Sequence, residues 1–598
     1  MTKNKQRVIL GINPSHNTSA AIMIDDQIVA AAQEERFSRK KNHIGIPVKS
    51  IEFCLKVAGV TTSQLDSIVI VGATHAPFYL STLEDLGTPQ SKNLVRLNSL
   101  YNFLRFSFVH ELARYFPTIG FADYAIHSYV KRFLARPIYR KYSQLLANLC
   151  EIDPGKITYL DHHEAHAATS YFGSGFANDE ATCLIFTSDG GGDENSATLR
   201  IGRNSQMRLI AKTPFSASLG YLYMYTTWYL GLKPVEDEYK VMGLAPYAPK
   251  KLVGEVYAKL EKFINLDRKK LVFKSPINTE VFYKYLPKLY ANCRFDVIAA
   301  AIQKLAEDMI CEWVDAAIRK YHILTVSTSG GVFANVKINQ KVASLPKLKN
   351  AFFAPSPGDE MNCLGACFKK YTEFFPNRVP QPLKHLYLGP QASEVEINQT
   401  IKKARELGFK VKKLANINQE VAKLLAKGEI VARFVGRLEF GARALGNRSI
   451  LADASRLEVK DEINKMIKSR DFWMPFAPSI LEEYRHRYLV NPKNLSAPFM
   501  ILAFDTTPAG QKDLVAAVHP YDKTCRPQLV SKSNNPNYYN LLTEFSSLTG
   551  RAGFLNTSFN LHGEPIVCSP DDALYTFANS GLKYLQIEDF LIEKASKN

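Results

Sequence analysis

The chain has 598 residues, of which 46% are hydrophobic and 22% charged, and 75 basic against 57 acidic side chains give a net charge of +18. That length exceeds one ordinary core, so at least two domains are expected, and no apolar run reads as a signal peptide or a membrane span, which points to a cytoplasmic protein. The nine cysteines are spread thinly without a Cys-x-x-Cys pair, which excludes a zinc ribbon and fits reduced thiols.

In chain order, Val8 to Ile12, Ser19 to Ile24 and Ile28 to Ala32 are apolar runs separated by turn residues, a three-strand meander. A helix over residues 48–59 and a strand at Ser67 to Val71 follow. The pattern recurs at Ala181 to Ser188, Asn195 to Ile201 and Met207 to Lys212. Two such meanders in one long region suggest a duplicated, two-lobed α/β domain with a nucleotide cleft between the lobes. Ile323 to Ser327 reads as a further strand, after which Ser329-Gly330-Gly331 starts a helix running toward Asn339. Residues 375–400, rich in proline, read as a linker into a second domain. There Glu429 to Val435 and Gly553 to Leu555 read as strands, and Asn464 opens a loop-rich stretch.

Four constellations carry chemistry. In Asp161-His162-His163-Glu164-Ala165-His166, His162 and His166 are four apart, so on a helix both imidazoles reach one ion while His163 points elsewhere. Asp189 and Asp359, in loops after strands, could complete a two-histidine, two-carboxylate site, and that donor set suits Fe(II), Mn(II) or Zn(II). The Gly330-Gly331 turn, with Asn335 beyond, could bring backbone N–H groups to phosphate oxygens, although no P-loop sequence is present. Arg437, Arg443 and Arg448 among the glycines of residues 436–448, with Lys468 and Arg470 near in sequence, suit polyphosphate. Asn556-Thr557-Ser558-Phe559-Asn560, just after a strand, could bind an adenylate or a carbamoyl amide. The basic clusters are short and scattered, so charge alone does not separate nucleic acid from phosphate-bearing substrates.

Taken together, GINPSHNTSAA (Gly11 to Ala21), EERFSR (Glu34 to Arg39), DHHEAHAA (Asp161 to Ala168), KVMGLAPY (Lys240 to Tyr247), SGGVFAN (Ser329 to Asn335), PGDEMNCLGA (Pro357 to Ala366), residues 436–453, PFAPS (Pro475 to Ser479) and LNTSFNLHGEPIV (Leu555 to Val567) resemble the O-carbamoyltransferases of natural-product biosynthesis, over nearly the whole chain. The resemblance implies an actin-like, TsaD-like N-terminal domain over residues 1–380. It also implies a smaller YrdC-like α/β domain over residues 381–598. In that picture the second domain forms carbamoyl-adenylate and pyrophosphate from carbamoyl phosphate and ATP. The first, holding a divalent ion, Fe(II) favoured, moves the carbamoyl group to a hydroxyl of a small acceptor. By motif, His162, His166, Asp189 and Asp359 resemble the metal ligands. His16 resembles the histidine near the acceptor, and Arg443, Lys468, Arg526 and Ser558 resemble the residues around the activated carbamoyl group. Acceptors across the family include sugars, macrolactams, aminoglycosides and guanidinium alkaloids, and overall resemblance favours the saxitoxin type. A homodimer is compatible with the pattern, and neither membrane nor nucleic acid is expected as a partner. The alternatives are a tRNA threonylcarbamoyl-type modification enzyme and a non-catalytic nucleotide-binding scaffold. Two departures stand out: Met474 where many members carry arginine, and an extra residue before Asp522 in His519 to Gln528, which weakens the match at Arg526.

Overall fold

The computed structural model describes residues 6–72, 142–179, 182–468 and 470–594. The first meander is Val8–Asn13, Ser19–Ile24 and Gln27–Gln33, all antiparallel, with Leu10 opposite Ile22 and Ala21 opposite Ala31. Strand Ser67–Val71 then joins Val8–Asn13 in parallel, and Ile157–Leu160 extends the sheet. Near-continuous burial of Val8–Asn13 and Ser67–Val71 matches central strands covered on both faces. Helix Val48–Ala58 lies at the expected place and ends at Gly59, whose φ of +65° favours glycine.

The second sheet repeats this order. Cys183–Gly192, Asn195–Arg203 and Gln206–Pro214 form the meander, and Thr325–Ser329 joins the first of them in parallel with Asn350–Phe353 beyond. The duplication read from the two meanders is therefore present, strand for strand. Ala181, the expected start of the fourth apolar run, lies outside the described residues. In each sheet the fifth strand leads to a 13-residue helix, His162–Ser174 in one lobe and Asn362–Phe374 in the other. The two helices meet at Gly365, where a β-carbon would lie 2.0 Å from the Ala165 carbonyl oxygen. The 27-residue helix Phe295–Tyr321 packs on the second sheet through fully buried Trp313, edge-on to Phe186 at 4.8 Å, a burial of about 2–3 kcal/mol.

The third sheet has eight strands among the described residues, mixed in direction. Its middle runs Val431–Phe434, Arg448–Ala452, Gly553–Ser558 and Ala477–Leu481. The expected linker differs from what is seen. Helix Glu394–Glu406 begins inside it, started by a capping box between Ser393 and Glu396. The residues before it are pinned rather than loose: Leu386 and Leu388 are buried, Ala31 N donates to Leu388 O at 3.2 Å, and the Tyr387 hydroxyl donates to Leu445 O at 2.8 Å. The loop-rich stretch expected from Asn464 instead opens with a turn of π-helix, Asn464–Lys468, which sets Lys468 facing the site.

The third sheet's region and the duplicated lobes share many bonds. Helix Val336–Ala343 docks on it: Asn339 Nδ2 donates to Ile501 O at 2.7 Å, Lys493 Nζ donates to the Ala343 and Leu345 carbonyls at 2.8 and 2.6 Å, and Lys337 pairs with Asp522. His519 Nε2 lies 3.0 Å from Gly243 O.

Candidate active site

Asp161 caps the histidine helix by accepting from Glu164 N at 2.8 Å, and Asp193 accepts from His162 N at 2.7 Å. His162 and His166 then face the same way, with ring centroids 4.7 Å apart. Asp189 reaches them from within the second lobe's first strand, Cys183–Gly192, rather than from a loop after it, and Asp359 from the 3-10 turn Asp359–Met361 before helix Asn362–Phe374. His166 Nε2 lies 3.3 Å from both Asp189 Oδ2 and Asp359 Oδ1, and His162 Nε2 lies 3.5 Å from Asp359 Oδ1. One ligating atom from each of the four falls within 4.8 Å of the others. Among the described residues the buried His162 Nε2 has no hydrogen-bond partner. An imidazole nitrogen left so and facing two carboxylates fits the donor set that a divalent transition ion takes.

The surroundings fix these groups. Ser15 donates its hydroxyl to Asp359 Oδ2 at 2.8 Å, the Ser329 hydroxyl lies 3.1 Å from His166 Nδ1, and Gly331 N donates to Asp189 Oδ2 at 3.0 Å. A β-carbon at Gly192 would lie 2.2 Å from the His162 ring, so only glycine lets that ring sit there. Burial opposes charge on His162, yet Asp359 and Asp189 outweigh it and push the imidazole up to about 10. Burial likewise raises Asp189, but His162 and His166 hold its carboxyl well below the usual range. His163 turns away as its helical position requires. It is bonded to Thr187 Oγ1 and Asn195 O, and burial lowers it to about 3. Ser15 brings the His16 turn against Asp359.

The second cluster lies on the third sheet. Lys468 Nζ donates to Asn560 Oδ1 at 2.6 Å and Ser558 Oγ at 3.1 Å, and Arg470 Nη2 donates to Thr557 Oγ1 at 3.2 Å. Burial lowers the Lys468 ammonium well below its ordinary value, and Arg470 and Lys41 lower it further. Arg526 is also lowered well below its ordinary value, by burial and then by Arg443 and Arg470. Among the described residues none of Arg443, Lys468, Arg470 and Arg526 pairs with a carboxylate, and each is lowered by burial and, except for Arg470, by a neighbouring cation. Four converging cations without a counter-ion form a cradle for a polyanion.

Glu439 shapes the loop that carries Arg443. Its Oε1 accepts from Leu445 N, Asn447 N and Arg448 N at 2.8, 2.7 and 3.1 Å. Arg448 is not in the cradle. It is fully buried, bonded to the carbonyls of Val435, Gly436 and Asn447, and stacked on Phe434 at 3.6 Å. Arg437 likewise turns to the carbonyls of Gly389, Val29 and Leu388.

Two expected nucleotide contacts have other duties. The Asn335 side chain caps helix Val336–Ala343, accepting from Lys337 N and Ile338 N, and its amide pairs with Gln303. The Asn556 amide donates to Ala444 O, Ser479 Oγ and Gln528 Oε1 inside the sheet wall. Gly330, at φ +100°, packs against the Ser188 backbone, and Gly331 against the Asp189 carboxylate. Met474 is buried against Gly243. Sequence reasoning gave Ser15 and Glu439 no role, whereas Ser329, Thr557 and Asn560 lay inside runs already singled out.

A duplicated α/β fold is joined to a mixed sheet, with a His/Asp tetrad on the first and, among the described residues, a group of cations without carboxylate partners on the second. The chain belongs to the carbamoyltransferase family: residues 8–368 match the family's N-terminus and residues 422–594 its C-terminus. It is 32% identical to the nodulation protein NolNO of Sinorhizobium fredii, covering 97% of this chain and 79% of that one. It is 30% identical to the protein sll1178 of Synechocystis over 98% and 97%, and 32% identical to the protein MJ1058 of Methanocaldococcus jannaschii over 98% and 99%. Among solved structures, full-length HypF in its phosphate- and nucleotide-bound form aligns with a TM-score of 0.30 at 11% identity, covering 62% of this chain and 56% of that one. No helix among the described residues is long and apolar enough to cross a membrane.

Proposed function

We propose that this carbamoyltransferase is ATP-dependent and works in two stages, with an actin-like transfer domain over residues 1–380 and a YrdC-like activating domain over residues 381–598. The observation that carries this reading is the cradle of Arg443, Lys468, Arg470 and Arg526, half-buried or buried and, among the described residues, without a carboxylate partner. Such a cradle stabilises the negative charge of ATP and carbamoyl phosphate. Water takes the phosphoryl group of carbamoyl phosphate, releasing phosphate and leaving carbamate. A carbamate oxygen then attacks the α-phosphorus of ATP, and pyrophosphate leaves. Ser558 and Asn560 orient Lys468 toward the phosphates.

In the transfer stage His162, His166, Asp189 and Asp359 would hold a divalent ion, Fe(II) favoured over Mn(II) or Zn(II), supplying Lewis acidity toward an oxygen of the carbamoyl-adenylate. His16, on the turn that Ser15 ties to Asp359, accepts the acceptor's hydroxyl proton. The hydroxyl oxygen bonds to the carbamoyl carbon, and AMP leaves. The acceptor we put forward is a small hydroxylated metabolite, with a guanidinium alkaloid of the saxitoxin type first in the screen.

The test measures pyrophosphate release and carbamoylated product separately. Lys468→Ala and Arg443→Ala are expected to lose pyrophosphate release without acceptor. His166→Ala is expected to keep that release and lose product. Loss of both activities in folded His166→Ala would overturn the division of labour.

A further inference from the structure

The metal-type tetrad and the cation cradle are joined by a three-residue chain of contacts. Asp359 is followed by Glu360, which is buried, and the Glu360 carboxylate accepts the Ser356 hydroxyl. The same Ser356 Oγ accepts the N–H of Ala442 at 3.1 Å, and Ala442 directly precedes Arg443. The approach is close. Gly441 has φ +108°, and a β-carbon there would lie 2.8 Å from Ser356 Cβ. From the other side, Arg36 Nη2 donates to Gly441 O at 2.8 Å, while Arg36 itself is paired with Glu35 at 2.8 Å.

Arg443 needs such holding. Its own side chain makes no hydrogen bond among the described residues, and Arg470 repels it. An unpaired cation facing its like moves away unless its backbone is fixed. Here the two residues before it have their polar backbone groups bound by residues 405 and 86 positions earlier in the chain: Gly441 O by Arg36 and Ala442 N by Ser356.

We infer that Ser356 is a positioning residue of the activation site, holding the Arg443 loop in the cation cradle through the Ala442 N–H and taking its own orientation from Glu360. The inference rests on the reading that the cradle binds phosphate groups. Removing the hydroxyl takes the acceptor from a half-buried N–H, worth about 0.5–1.5 kcal/mol, or up to roughly tenfold.

The test uses the full-length enzyme. Ser356→Ala is expected to raise the KM for carbamoyl phosphate in pyrophosphate release about tenfold, with kcat changed less. Its affinity for inorganic pyrophosphate, by calorimetry, should weaken by a similar factor. Metal content and unfolding midpoint should match the wild type. Glu360→Gln, which still accepts the Ser356 hydroxyl, should stay near the wild type, whereas Glu360→Ala should reproduce the serine variant. This pair decides the matter if Ser356→Ala fails to fold. Unchanged KM and unchanged pyrophosphate affinity in Ser356→Ala would overturn the inference. If the wild type releases no pyrophosphate, the two-stage reading has failed, and pyrophosphate affinity alone then decides the role of Ser356.

Discussion

Replacing Lys468 with methionine separates a binding role from a structural one. Its two good hydrogen bonds, to Asn560 Oδ1 at 2.6 Å and Ser558 Oγ at 3.1 Å, contribute about 1 kcal/mol each, or about 2 kcal/mol together. Against this, a buried ammonium costs several kcal/mol in desolvation, and Arg470 and Lys41 add repulsion. The ligand-free Lys468→Met protein should therefore be at least as stable as the wild type at neutral pH, by urea unfolding. The pH dependence has a definite sign. The folded-state pKa of Lys468 is depressed, so above it the unfolded chain still carries a proton that the folded chain has lost. Wild-type stability then rises with pH up to the unfolded value near 10.5. The advantage of the methionine variant should shrink over that window. Pyrophosphate release should meanwhile fall by about 10²–10³. A variant clearly less stable than the wild type, yet still releasing pyrophosphate, would refute the reasoning and make Lys468 a structural residue.

Three further outcomes follow from the same geometry. Gly192→Ala should displace the His162 ring and lower metal content below about one ion per chain by elemental analysis, as His166→Ala should; full metal loading in both would contradict the tetrad. Glu439→Gln should keep the arginine loop, while Glu439→Ala, which leaves three buried N–H groups unpaired, should lose at least ~3 kcal/mol of stability; equal urea midpoints would refute this. Despite the charge of +18, tRNA should bind only weakly at physiological salt; tight binding with a steep salt dependence would count against a small acceptor.

The sequence made the helical histidine pair legible because its period is local: residues four apart share a face wherever the helix lies. The duplication was legible for a similar reason, since each meander is contiguous. Ser15 could not be found this way, because its partner Asp359 is 344 positions distant. Asn335 and Asn556 show a different limit. Small polar residues beside glycine-rich turns suit ligands, but they suit helix caps and buried amide networks equally, and tertiary neighbours decide between them. Arg443 and Arg448 sit in one run, yet one faces the cradle and the other is stacked on Phe434, a difference set by the loop that Glu439 folds.

The close meeting of Gly365 with the Ala165 carbonyl has a mechanical consequence. Ala165 lies in the same helical turn as His162 and His166, and Gly365 lies one turn and a half beyond Asp359. Backbone contact this near resists sliding of one helix along the other, so any relative movement of the two helices would pivot near that point. A fulcrum moves least of all parts of a lever. The tetrad beside it would keep its spacing under such rocking, and the larger displacements would fall far from it.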